Sequence, residues 1–446
     1  MKNKNELHLI ENKYAVDKLK INNFSAWPLV RHRVFFEIFS RKINFNEKLR
    51  TRSKLQLIKN FFYGAKHLFQ LKKYDFLFFN NADKRTLTKN KKQYDIFFDS
   101  WGDKVGQENA LFIEWAINKH YSKEETYSKN VISDLILKLG SYLCALFVTL
   151  DYKDADVLDN IKQEYNLQFN TNNLLKNKLG EIKFYELFFK YIKPKAVFLI
   201  SSFTKESVVI AAHLNGIKVY EAQHGYIGDN HQFYNSVYKF DALYYPDYLL
   251  SFGEQEKNNL PQDFIFKKQQ LLPIGSLFLE ETQINYTNSY LDSLKNNYKY
   301  IFCVTLQNIK EEVLLNWVTE QAKTNKNWLF ILKPRHIKMD YKKYTKLDNC
   351  ILLPENNVYQ VLKYSNFNIT IYSTTAIEAS AFNAKTLFYN IDKLSEKYFD
   401  VSNMYASMIN EGENIEKEHL IEEEIISKNY FSRNYYTNVA NTNLTF

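Results

Sequence analysis

The sequence predicts an α/β protein made of two successive Rossmann-like domains, preceded by a helical, basic N-terminal extension. Three observations carry this reading. A chain of 446 residues with 45% hydrophobic content exceeds one ordinary core and has material for two. From Tyr74 onward, short apolar runs alternate with polar helical stretches, the rhythm of βαβ units and a mostly parallel sheet. That rhythm pauses around 270–296 and then starts again, which divides the chain into an extension (1–73), a first domain (74–270) and a second domain with a C-terminal tail (271–446).

The extension reads as helical. Ser25 is placed to cap a helix through WPLVRHRVFFEIFSRK, with Pro28 in its first turn. A second stretch, 54–73, gathers Leu55, Ile58, Phe61, Phe62, Ala65, Leu68 and Phe69 on one side and Lys59, Lys66 and Lys73 on the other. Such a basic amphipathic run either packs on its own domain or lies at a membrane interface. Residues 1–73 hold 17 Lys/Arg against 5 Asp/Glu, a net of +12 in a chain of net +9, so everything after them is mildly acidic. This asymmetry suits an anionic lipid surface or a polyanionic acceptor. No helix-turn-helix, zinc-finger or RNP pattern accompanies it, so nucleic acid is not an expected partner.

In the first domain, YDFLFFNN (74–81), YDIFFDS (94–100), KAVFLISSF (195–203) and IKVYEAQHG (217–225) read as buried strands, with SVVIAAHLN (207–215) a helix. In the second, KYIFCVTLQ (299–307), NWLFILKPRH (327–336), NCILLPE (349–355), FNITIYS (367–373) and KTLFYN (385–390) read as strands. Cys144, Cys303 and Cys350 are scattered and show neither disulfide nor zinc spacing, which suits reduced, buried thiols in the cytoplasm. The first ten residues lack a signal-peptide core, and LCALFVTL (143–150) is far shorter than the roughly 20 residues of a spanning helix.

Ligands of open parallel sheets bind beyond the carboxyl ends of the strands, so polar strand exits are where chemistry belongs. The first such exit is EAQHGYIGDNHQFY (221–234), where Glu221, His224 and His231, the candidate catalytic groups for proton transfer or polar recognition, lie around Gly225 and Gly228. Glycine permits positive φ and close backbone approach, and a histidine of near-neutral pKa suits removal of a proton from an attacking hydroxyl. The plainer alternative is a histidine hydrogen-bonded inside a turn. The second exit, LKPRH (332–336), offers Lys333, Arg335 and His336 to a phosphate. The third, IYSTTAIEASAF (371–382), sets Ser373, Thr374 and Thr375 where a helix begins, with Glu378 one turn on to accept ribose hydroxyls.

The order strand–QHG, FGE (252–254), IGS (274–276), KPRH and YSTTAIEAS resembles GT-B glycosyltransferases of bacterial capsule and surface-polysaccharide assembly, over roughly residues 195–390. Polysialyltransferases, Kdo transferases and CDP-glycerol glycerophosphotransferases are similar in outline. The resemblance implies two domains facing across a cleft and a sugar moved from a nucleotide-activated donor, CMP- or UDP-linked, to a glycan or lipid-linked acceptor. By position it implies His224 as base, with Lys333, Arg335, His336, Ser373, Thr374, Thr375 and Glu378 around the donor. Many relatives read His-Pro where this chain reads Pro-Arg-His. No DxD carboxylate pair marks a metal-dependent site at these strand exits, so no metal and no cofactor beyond the donor are expected. A polyol-phosphate transferase, a UDP-sugar 2-epimerase-like enzyme and a membrane-docked scaffold without activity are the rival readings. The expected location is the cytoplasm, with peripheral attachment to the inner face of the membrane as an extension of the basic-segment argument.

Overall fold

The computed structural model describes residues 6–43, 53–228, 231–258, 260–335, 340–399, 401–421 and 431–444. Two parallel sheets dominate it. In chain order the first is built from β1 (Phe76–Asn81), β2 (Ala110–Trp115), β3 (Val131–Ser133), β4 (Ala196–Ile200), β5 (Lys218–Ala222), β6 (Tyr248–Ser251) and β7 (Leu271–Pro273), arranged 3-2-1-4-5-6-7. The second holds β8 (Tyr300–Leu306), β9 (Trp328–Pro334), β10 (Cys350–Leu352), β11 (Phe367–Thr370), β12 (Lys385–Asn390) and β13 (Ala406–Asn410), in spatial order 10-9-8-11-12-13. Both follow the Rossmann order, in which the chain reverses direction between the first and fourth strands of the sheet and leaves a crevice at their carboxyl ends.

Why these runs form sheets is visible in their side chains. On β1, Leu77 and Phe79 face one apolar layer while Phe76 and Phe78 face the other, so the strand is buried on both sides and reads as a continuous hydrophobic run. Register aligns Phe112, Phe78, Phe198, Tyr220 and Tyr248 across neighbouring strands, with ring centroids 4.8 to 5.0 Å apart. The second sheet repeats the device with Phe330, Phe302 and Phe367. Such same-face pairs hold a parallel sheet in one register.

One expected strand is absent from the main sheet. At 94–100 only Lys92–Asp95 is extended, in a two-stranded antiparallel hairpin with Arg85–Lys89. The Asp95 carboxylate then accepts from the backbone N–H groups of Phe97 and Phe98, turning the chain into a helix, Asp99–Val105. The strand beside β1 is instead ALFIEW (110–115).

The N-terminal helices α1 (Glu6–Lys13) and α2 (Ala26–Ile43) share a core with α5 (Thr171–Ile192), through Leu7, Ile10, Trp27, Val30 and Leu175 among others. Much of their charge is neutralised there. Buried Glu11 accepts from Trp27 Nε1 (2.9 Å) and Arg31 Nε (2.8 Å), and Glu37 pairs with Arg33 and Arg41. Between them and α5 come α3 (Lys54–Phe61) and α4 (Asp134–Leu146), and α6 (Glu206–Leu214) follows β4.

The chain returns at its end. Helix α7 (Tyr435–Asn441) packs on the first unit, with Tyr435 OH 3.0 Å from Ser100 Oγ. Lys104 Nζ donates to the carbonyls of Val439, Ala440 and Thr442 at 2.6 to 2.8 Å, satisfying the open end of that helix. The glycine of IGS allows this return. Gly275 has φ +96°, and a β-carbon there would stand 2.2 Å from the Ser432 carbonyl oxygen. Among the described residues no helix is long and apolar enough to cross a membrane.

Candidate functional site

A cavity of about 510 Å³ lies between the two units, lined from the first by Lys84, Gln223 and His224 and from the second by Asn357, Tyr359 and Glu378. Its walls are strand exits. Lys84 follows β1, Ser201 follows β4 and His224 follows β5, so the first wall surrounds the reversal point of the first sheet. Of the described donor candidates, Glu378 lines the opposite wall, whereas Lys333, Arg335, Ser373, Thr374 and Thr375 are not among the lining residues. Ser373 and Thr374 follow β11 beside the reversal point of the second sheet, where Tyr372 N donates to Gln307 Oε1 beyond β8 (3.3 Å). The two units meet at Gly225, where a β-carbon would stand 3.4 Å from Thr374 Cγ2.

His224 is half-buried, with Nε2 3.2 Å from Ser201 Oγ. Its Nδ1 is buried with no hydrogen-bond partner among the described residues. Burial, reinforced by Lys84 and Lys205, lowers its pKa to about 4, so the imidazole is neutral at pH 7. Ser201 reaches it from a left-handed backbone (φ 54°), pinned where Thr204 N and Oγ1 both donate to the Ser201 carbonyl at 2.9 Å.

Glu221 and His231 hold this loop in place. Glu221 is fully buried at the end of β5 and accepts from Tyr234 OH (2.6 Å) and Ser202 N (3.0 Å). It therefore ties the 201–204 turn, which carries Ser201, to the far limb of the histidine loop. His231 Nδ1 accepts from Phe233 N (3.3 Å), its ring lies 4.6 Å from that of Tyr234, and burial lowers its pKa to about 3. Neither Gly225 nor Gly228 takes the positive φ that the loop chemistry suggests. At Gly225 a β-carbon would make only ordinary van der Waals contact with Thr374, and at Gly228 it would meet the Tyr226 hydroxyl at 2.2 Å.

In the second unit, Ser373 Oγ accepts from Thr375 N (3.3 Å), and the Thr374 side chain is exposed. Thr375 Oγ1 is buried with no partner among the described residues. Glu378 accepts from Tyr359 OH (3.0 Å), and burial pushes its carboxyl up to about 7 against the opposing pull of Tyr359 and Lys84. Lys333 is spoken for. Its buried Nζ donates to the carbonyls of Leu353 (2.5 Å) and Asn356, which fastens the turn that leads into Asn357 and Tyr359. Arg335 is exposed and partly offsets the burial that raises the Tyr372 phenol, and His336 lies outside the described residues.

Three contributors escaped the sequence reading. Lys84 stands in the cavity because its neighbour Arg85 is anchored inside the first unit, donating to Glu114 (2.6 Å), Asp99 (3.0 Å) and Ser128 (2.9 Å). The polar exit of YDFLFFNN was the available signal for it. Gln223 accepts from Phe252 N (2.7 Å) and donates to Gly225 O (3.0 Å) and Glu256 (2.8 Å), joining QHG to the FGE turn. Tyr359, from a helix beginning at Val358, completes the set. Among the described residues no group of three or more His, Cys, Asp or Glu side chains is placed to hold a metal ion.

No known protein family matches this sequence, and no curated protein matches it. Among solved structures, the chain is similar to UDP-GlcNAc 2-epimerase from Neisseria meningitidis bound to UDP-GlcNAc, with TM-score 0.43 and 13% identity over 82% of this chain and 94% of that one. It is also similar to CalG4, the calicheamicin glycosyltransferase, with TM-score 0.43 and 11% identity over 82% and 92%. A third is the kitacinnamycin glycosyltransferase, with TM-score 0.45 and 9% identity over 82% and 94%.

Proposed function

We propose that this chain is a GT-B-type glycosyltransferase, moving a sugar from a nucleotide-activated donor to a glycan or lipid-linked acceptor of a bacterial surface polysaccharide. The observation that carries the reading is a neutral imidazole, His224, and a buried carboxyl, Glu378, lining one cavity at the carboxyl ends of two Rossmann-ordered sheets, with Thr374 reaching Gly225 beside the histidine. His224 takes the proton of an acceptor hydroxyl. The hydroxyl oxygen bonds to the anomeric carbon of the donor sugar as the bond from that carbon to the nucleotide phosphate breaks. Lys84, Arg335 and the hydroxyls of Thr374 and Thr375 offset the charge gathering on the departing phosphate. Glu378, with its carboxyl near half-protonation at neutral pH, receives ribose or sugar hydroxyls. The donor binds the second unit and the acceptor the first, on the cytoplasmic side where activated sugars are made.

A second reading rests on the same cavity. His224, a neutral imidazole, and Glu378, with its carboxyl near half-protonation at pH 7, stand on opposite walls, and such a base-and-acid pair suits a UDP-sugar 2-epimerase working on one substrate without an acceptor. Incubation with a UDP-N-acetylhexosamine alone separates the two, since an epimerase turns over and a transferase does not. The transferase reading is tested by a thermal-shift screen with CMP, CDP, UDP and GDP, followed by transfer assays with the nucleotide that binds. A chain that none of the four stabilises would contradict it.

A further inference from the structure

Helix α4 is apolar on two opposite faces. Its inner face, with Leu137, Ser141 and Ala145, packs on antiparallel α5, and a β-carbon on Gly180 would stand 2.5 Å from the Ala145 backbone. Its outer face shows Leu139, Tyr142, Leu143 and Leu146, one stripe at helical spacing, each 47 to 58% exposed, and the chain continues into Phe147 at 86%. A helix apolar all round belongs in an interior or against a non-aqueous phase, yet this stripe meets water.

The neighbouring helix α3 and the 3-10 helix after it, Ala65–Lys73, continue the surface. Ile58 (55%), Phe62 (64%) and Phe69 (91%) are exposed there, whereas Leu68 packs on the first unit's core. Interleaved with them are Lys54, Lys59, Lys66, Lys72 and Lys73, all exposed, and no carboxylate occurs from Ser53 to Tyr74. Lys72 Nζ lies 4.8 Å over the ring of Tyr191, which is itself exposed on α5 and joins the two parts of the patch.

We infer that this face of α3, α4 and the 62–73 segment docks on an anionic lipid bilayer. Charge complementarity decides the occupant. A second copy seated here by two-fold symmetry would bring the lysine cluster of 54–73, a stretch without a carboxylate of its own, toward its own image. A bilayer surface supplies both what the patch lacks, negative headgroups for the lysines and an acyl boundary for the apolar stripe. The docked face adjoins the cleft. Asn60 Nδ2 on α3 donates to the Asn118 carbonyl (2.9 Å) just past β2, and Tyr121, three residues further, lines the cavity. The surface stands on its own exposure and charge, independent of the transfer chemistry.

The test is co-sedimentation of the full-length protein with vesicles of phosphatidylcholine alone or mixed equally with phosphatidylglycerol, across a salt series. Binding should require phosphatidylglycerol, weaken with salt, and keep a salt-resistant remainder from apolar insertion. The double variant Leu143→Glu/Phe147→Glu should remove that remainder and weaken binding by about 10-fold or more. Lys59→Gln/Lys66→Gln should weaken binding at low salt, and it serves alone if the first pair disturbs folding by circular dichroism. Nucleotide binding should be unchanged in both, so loss of docking and loss of the proposed enzymatic function read separately. The inference is overturned if the wild type ignores phosphatidylglycerol vesicles at low salt, or if the variants bind like wild type. A dimer that these substitutions dissociate, in a protein that leaves vesicles alone, would equally overturn it.

Discussion

His224 and Ser201 come from adjacent strands of one sheet and meet 3.2 Å apart, Nε2 to Oγ, while the opposite ring nitrogen of the histidine is left without a partner among the described residues. An imidazole held at one nitrogen and open at the other has its ring plane set and one position left for a proton. Ser201 is therefore a positioning residue. Ser201→Ala should lower kcat by about 10-fold with little change in donor affinity, because the ring loses its orientation and keeps its basicity. Unchanged kcat, or an equal loss of nucleotide binding, would remove that role.

The pH profile follows from burial. A histidine lowered to about 4 is deprotonated through the whole neutral range, so the acid limb of kcat/KM should centre near 4 and not near the ordinary value of about 6.5. A limb centred between about 6 and 7 would assign the base to another group.

Glu378 has the opposite sign. Its folded carboxyl is raised to about 7 and its unfolded one titrates near about 4.5, so the folded state binds more protons in between and loses stability as pH rises through that window. Glu378→Gln has no such loss. Its melting temperature relative to wild type should rise between pH 5 and pH 8, flattening above the folded pKa of about 7. A constant difference would mean the carboxyl is not held up by burial.

Lys333 and Arg335 separate a structural cation from a ligand-facing one. Lys333→Ala leaves two buried carbonyls unpaired and should cost about 1–3 kcal/mol in denaturant unfolding. Arg335→Ala, at an exposed position, should leave stability within about 0.5 kcal/mol and weaken donor binding about 10-fold. The reverse pattern would exchange the two assignments.

The sheets and their exits were legible because strands buried on both faces read as unbroken apolar runs and their polar ends stand out. QHG and STT are adjacent to such ends, which is why both could be placed at strand exits, whereas the approach of Thr374 to Gly225 shows only in the fold. Pairings set by topology were not legible. Nothing local to Lys84 reports that Arg85 is fastened to Glu114 and Asp99, or that Gln223 reaches Glu256. Nor does the tail announce that α7 returns to Ser100 and Lys104. The supposed strand at 94–100 failed because Asp95 spends its carboxylate on the next two backbone N–H groups, a choice that an apolar run cannot display. Lys333 looked like a phosphate ligand because a strand exit invites one, whereas the second unit uses its amine to close a turn.

The central claim is that His224 is the base of a group transfer whose donor sits on the other wall of the cleft. The most direct measurement pairs single-turnover kinetics with calorimetric nucleotide binding for wild type and His224→Ala. The account predicts nucleotide affinity within about 3-fold of wild type and a chemical step slowed by about 100-fold or more. A variant that turns over at the wild-type rate, or one that loses nucleotide binding together with turnover, would contradict it.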